Sequence, residues 1–136
     1  MNYKKILLAA LVSGFGMWVT AGIWHNLIMA NLYEDVHAEH DGIGILLIAY
    51  FVLSLIMSYM YPLVYRNGKP ILEGLKFGMI IGVLWVFPHE LAMAGAHDGK
   101  SILYVFKNGI WHMLEQGIGG IIIGLMFRKE QTKVQN

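Results

Sequence analysis

Residues 42–65 read GIGILLIAYFVLSLIMSYMYPLVY, 24 residues without a single Asp, Glu, Lys or Arg. A bilayer core about 30 Å thick is crossed by about 20 apolar helical residues. This stretch is therefore long enough for one transmembrane span. In lipid the backbone must satisfy its own hydrogen bonds, so the spanning form is a helix. Working outward, residues 6–33 form an equally uncharged run of 28 residues, read as a span over about 6–32. Downstream, residues 71–96 carry only Glu73, Lys76 and Glu90, and residues 101–127 only Lys107 and Glu115. The connections Glu34–Asp41, Arg66–Pro70 and His97–Lys100 are too short for a soluble domain. The expected fold is all-α: a single-domain, four-helix transmembrane bundle over residues 1–136, running up-down-up-down.

Composition agrees. Hydrophobic residues make up 57% of the chain and charged residues 14%, against about 25% charged in a soluble domain. Cysteine is absent, which excludes disulfides, thiolate metal sites and thiol catalysis. No basic-aromatic patch suggests nucleic acid. Lys4 and Lys5 before an apolar run, with Val19-Thr20-Ala21 further on, resemble a signal peptide. A signal core is only about 7–15 residues, so the first run reads as an uncleaved span.

Charge distribution predicts orientation. Lys4, Lys5, Arg66, Lys69, Lys76, Arg128, Lys129 and Lys133 fall at one end, and Lys100 and Lys107 towards the other. Basic ends stay cytoplasmic. Both termini are expected inside a cytoplasmic (inner) membrane, with Glu34–Asp41 and His97–Lys100 outside.

Small residues at a spacing of four let helix backbones approach closely. Gly74, Gly78 and Gly82 recur this way, as do Gly120 and Gly124. They suit packing within one bundle or a homo-oligomer interface. Gly22-Ile23-Trp24-His25 and Gly109-Ile110-Trp111-His112 are identical tetrapeptides. Simple duplication of a helical hairpin would not place them on the first and fourth spans. They read as coincidence or as similar local packing needs.

The unusual chemistry lies in ionisable groups within spans, which are costly in lipid and mark candidate functional sites. These are His25, His89, Glu90, His112 and Glu115. Helical rise puts all three histidines in the outer half of the bilayer. At 100° per residue Asn108, His112, Glu115, Gln116 and Gly119 share one face of the fourth span, with His112 and Glu115 an i,i+3 pair. His89 falls on the glycine face of the third span, while Glu90 points away. Gly14, Trp18, Ala21 and His25 share a face of the first, and the second offers Tyr50, Ser54, Ser58 and Tyr61 as hydrogen-bonding groups. His25, His89, His112 and Glu115 are thus expected to converge as a candidate metal site. Their N/O donor set suits a divalent transition metal. Haem is the weaker cofactor candidate, because no paired histidine spacing supports axial ligation. The same groups suit a proton relay, since His titrates near neutrality, or a purely hydrogen-bonded lock between helices.

Glu34, Asp35, His37, Glu39, His40 and Asp41 in one outer loop, with His97 and Asp98 in the other, are candidate cation contacts at the mouth. A solvated acidic loop, which also fits the orientation, is the favoured account of them.

Gly14 to Trp18 in the first span and Phe106-Lys107-Asn108-Gly109-Ile110-Trp111-His112 in the fourth resemble a family of small four-helix bacterial membrane proteins. The resemblance implies the architecture and no chemistry. His89-Glu90 and the acidic outer loop stand as departures from that pattern.

The functional expectation is a small integral membrane protein whose outer-leaflet His/Glu cluster binds a transition metal or conducts ions or protons. The alternative is a structural or accessory subunit of a larger membrane complex. No nucleophile–base pair supports an enzyme. Expected partners are membrane lipid and a homo-oligomer or larger membrane complex.

Overall fold

A computed structural model describes residues 2–28, 42–66, 68–96 and 101–131. The described residues are helical, with four helices long and apolar enough to cross a membrane. Helix α1 covers Tyr3–Ile23 and runs into a wider π-helical turn at Trp24–Ile28. Helix α2 covers Gly42–Val64, α3 Pro70–Ala96 and α4 Ile102–Gln131.

The helix starts are encoded locally. The Asn2 side chain accepts a hydrogen bond from the Lys5 amide at 3.2 Å, and the Ser101 hydroxyl one from the Tyr104 amide at 3.1 Å. Both are N-caps that satisfy amides the first helical turn leaves without partners. Pro70 opens α3, where its missing N–H costs nothing. Ahead of it the Tyr65 hydroxyl donates to the Gly68 carbonyl at 2.6 Å and fixes the turn between α2 and α3.

The outside is not that of a soluble protein. Large apolar side chains such as Leu8, Phe15, Ile45, Ile48, Leu63 and Leu84 lie on the outside, while Ser13, Ser54, Ser58, Asn108, Glu115 and Gln116 are buried. That arrangement suits a hydrocarbon solvent, in which polar groups gain by turning inward.

Helices α3 and α4 make the most extensive contact. A Cβ on Gly74 would strike the Gly120 backbone, one on Gly78 the Gln116 carbonyl, and one on Gly82 the His112 carbonyl. Numbering therefore falls along α4 as it rises along α3. The glycine face of α3 is occupied by α4 of the same chain. Elsewhere Lys5 lies over the Phe127 ring, 4.8 Å from its centroid, and Gly124 packs on the Pro70 carbonyl. The starts of α1 and α3 and the end of α4 thus meet at one basic end. Tyr61, Phe77 and Phe127 form an aromatic core just inside it.

Candidate functional site

Glu115 stands near the middle of α4 and is fully buried. Two helices supply its partners. The Tyr50 hydroxyl of α2 donates to Oε1 at 2.6 Å. His112 Nδ1, one turn earlier on α4, lies 2.9 Å from Oε2, and Gln116 Nε2 donates to the same oxygen at 3.3 Å. Both carboxyl oxygens are therefore hydrogen-bonded, as a buried ionisable group requires. His112 keeps 19% of its side chain accessible while Glu115 keeps none. The pair has an accessible member and a sealed one.

Helix α1 reaches the cluster through its π turn. An extra residue in the turn widens the helix and re-aims the side chains leaving it, a device frequent at functional sites. Here Trp24 stacks on Trp111 of α4, with centroids 4.1 Å apart and planes within 8°. His25 meets the edge of Trp111 at 6.3 Å and lies within electrostatic reach of both Glu115 and His112. The Asn26 side chain donates to the Gly22 carbonyl at 2.9 Å, occupying an acceptor in the last turn of α1. The indole nitrogens of Trp24 and Trp111 are buried without a hydrogen-bond partner.

The candidate residues thus divide. His112 and Glu115 are in direct contact, and His25 meets the edge of Trp111, one residue before His112. His89 is exposed and stands apart. The expected glycine face does not continue unchanged to it. The buried row of α3 passes from Gly82 to Val86, and Phe87 then packs against Gly109 of α4. Two residues beyond Phe87 is a rotation of about 200°, which turns His89 away from α4. Glu90 is only partly buried. Among the described residues no three His, Asp or Glu side chains are grouped to hold one metal ion. The outer-loop candidates Glu34, Asp35, His37, Glu39, His40, Asp41, His97 and Asp98 lie outside the described residues.

Sequence reasoning offered Tyr50 as a hydrogen-bonding group without its partner, and it did not assign the Trp24–Trp111 stack. The signal for the stack was the repeated Gly-Ile-Trp-His tetrapeptide. Its two copies bring Trp on Trp and place both histidines near Glu115, so a shared local packing need explains the repeat better than coincidence. Comparison with protein-family models, with curated proteins and with solved structures finds no match. The likeness to small four-helix bacterial membrane proteins therefore rests on the quoted motifs alone.

Proposed function

We propose that this chain is a multi-pass protein of the cytoplasmic membrane whose His112–Glu115 pair binds and passes protons. In this reading the bundle runs up-down-up-down with both termini cytoplasmic. The reading is carried by one observation: a fully buried carboxylate midway along an apolar helix, bonded to a phenol and an imidazole. An ionised carboxylate in hydrocarbon is expensive, and its cost falls when a neighbour shares the proton. His112 is such a neighbour, because its Nδ1 stands 2.9 Å from Oε2 and an imidazole nitrogen can take or give a proton. Its partial accessibility gives the proton a way on and off, and His25 adds a second imidazole alongside. The proton is held at Oε2 or Nδ1, while the Tyr50 hydroxyl holds Oε1 in place.

A second reading is a divalent transition metal held by His25, His112 and Glu115. The proximity of His25 supports it. Against it, these three side chains are not grouped closely enough to hold one ion, and both Glu115 oxygens already accept hydrogen bonds that a metal would have to displace. An accessory subunit with a purely structural polar core is the third reading.

Glu115→Gln separates them, since a neutral amide keeps the size and the lipid cost is lower. In proteoliposomes under an imposed pH gradient, the wild type is expected to dissipate the gradient faster than empty vesicles. Glu115→Gln is expected to lose at least nine-tenths of that flux. One metal ion per purified wild-type chain, absent from Glu115→Gln, would favour the metal reading instead. No flux and no metal in the wild type would leave the structural role.

A further inference from the structure

The inward face of α2 is lined with hydroxyls. Tyr50, Ser54, Ser58 and Tyr61 are spaced four, four and three residues apart. At 100° per residue they lie within an arc of about 80°. Ser54, Ser58 and Tyr61 are buried almost completely. This row runs through the helix of highest mean hydropathy, 2.3. Such a helix gains nothing from lining its buried side with hydroxyls unless they have something to bind. Ser13 of α1 adds another buried hydroxyl. It precedes Gly14, where an added Cβ would meet the Ser54 hydroxyl and the Tyr50 carbonyl.

The two ends of the row have different surroundings. At one end Tyr50 donates to Glu115. At the other the Tyr61 ring packs against Phe127, over which Lys5 lies. The row therefore leads from the sealed carboxylate to the basic end of the bundle. Its length is eleven residue steps, about 16 Å.

Between the ends the hydroxyls are not all engaged. Ser54 donates to the Ala10 carbonyl at 2.7 Å and so ties α2 to α1. The Ser13 and Ser58 hydroxyls are fully buried and have no protein partner. Leaving a buried hydroxyl unpaired costs about 1–3 kcal/mol. Internal water is the usual partner for such groups. Steps of three or four residues separate neighbouring hydroxyls by about 4.5–6 Å of rise. Two hydrogen bonds of about 2.8 Å through one water span the three-residue step, and a second water covers the longer four-residue steps.

We propose that Tyr50, Ser13, Ser54, Ser58 and Tyr61 form a water-linked hydroxyl column that carries protons between Glu115 and the basic end of the bundle. The proposal rests on the proton-binding reading of Glu115 and adds the route by which its sealed side is reached. In each hop an oxygen takes the incoming proton on a lone pair as its own O–H bond breaks towards the next oxygen. Every hydroxyl and water ends neutral, no electron is transferred, and only the orientation of the chain of O–H bonds changes. Tyr50 and Ser54 swing their protons out of their present bonds to take part. His112 serves the opposite, accessible side of Glu115.

The test uses proteoliposomes and the initial rate of pH-gradient dissipation. Ser13→Ala/Ser58→Ala is expected to cut the rate at least tenfold with an unchanged helical spectrum and thermal midpoint. Ser58→Thr, which restores a hydroxyl, is expected to keep at least half of it. An unchanged rate in the double alanine variant, with Glu115→Gln still inactive, would overturn the column and leave the proton-binding reading standing. An unchanged rate in both variants, or no flux in the wild type, would overturn the two together. A double variant that loses flux only because it unfolds is detected by the thermal midpoint. In that case Ser58→Ala alone decides: a wild-type rate overturns the column, and a rate reduced at least threefold upholds it.

Discussion

Glu115 sits in the span of lowest mean hydropathy, 1.3, and the hydrogen bonds around it set how tightly α2 is bound to α4. The Tyr50 hydroxyl reaches it from another helix, so Tyr50→Phe should be felt. Interhelical hydrogen bonds in membranes contribute up to about 1–2 kcal/mol. Tyr50→Phe is expected to cost that much, read as a lower unfolding midpoint in detergent. Tyr59→Phe serves as the control, since that ring is 48% exposed and should change nothing. An unchanged midpoint for Tyr50→Phe would mean the phenol is dispensable to the fold. At this scale the sequence was only half readable. The His112–Glu115 contact follows from an i,i+3 spacing on one helix. The Tyr50 contact joins residues 65 apart, which no local period reveals. His89 was misplaced on the glycine face because a 100° step was extended past the point where Phe87 takes over the contact with α4.

Elements were easier to read than residues. Runs with little charge located all four helices, and the apolar helical stretches Gly42–Val64, Pro70–Ala96 and Ile102–Arg128 differ from the expected bounds by at most one residue at each end. Span one begins earlier, at Tyr3, because Asn2 caps it ahead of the lysines. The glycine spacing announced a close helix contact but could not say with which helix. That depends on which backbone comes to rest on α3. Gly78 gives the sharpest test, since a side chain there would meet the Gln116 carbonyl and the Gly117 Cα, neither of which can yield as a flexible side chain would. Gly78→Leu is expected to cost at least about 3 kcal/mol, at the upper end of overpacking effects. Gly95→Ala meets nothing within 4 Å and should leave the melting curve unchanged or slightly raised. Equal behaviour of the two variants would contradict the close α3–α4 packing.

For the whole molecule, the proposed orientation predicts an inside carboxyl terminus. A reporter fused at Asn136 should be active on the cytoplasmic side, and one placed within residues 34–41 on the outer side. An outside signal from Asn136 would sink the orientation. The pairing of the first and last helices includes one close aromatic contact, Trp24 on Trp111. Two indoles this close and nearly parallel behave optically as a single coupled chromophore. Their transitions should split into a paired positive and negative band in the ultraviolet circular dichroism. Trp18 and Trp85 belong to no such stack, and their signals should add without splitting. The couplet therefore reports the moment when the beginning of the chain meets its end. It should vanish equally in Trp24→Phe and Trp111→Phe. During refolding into detergent micelles it should appear after the helical signal, giving a label-free clock for the assembly of helices that have already formed.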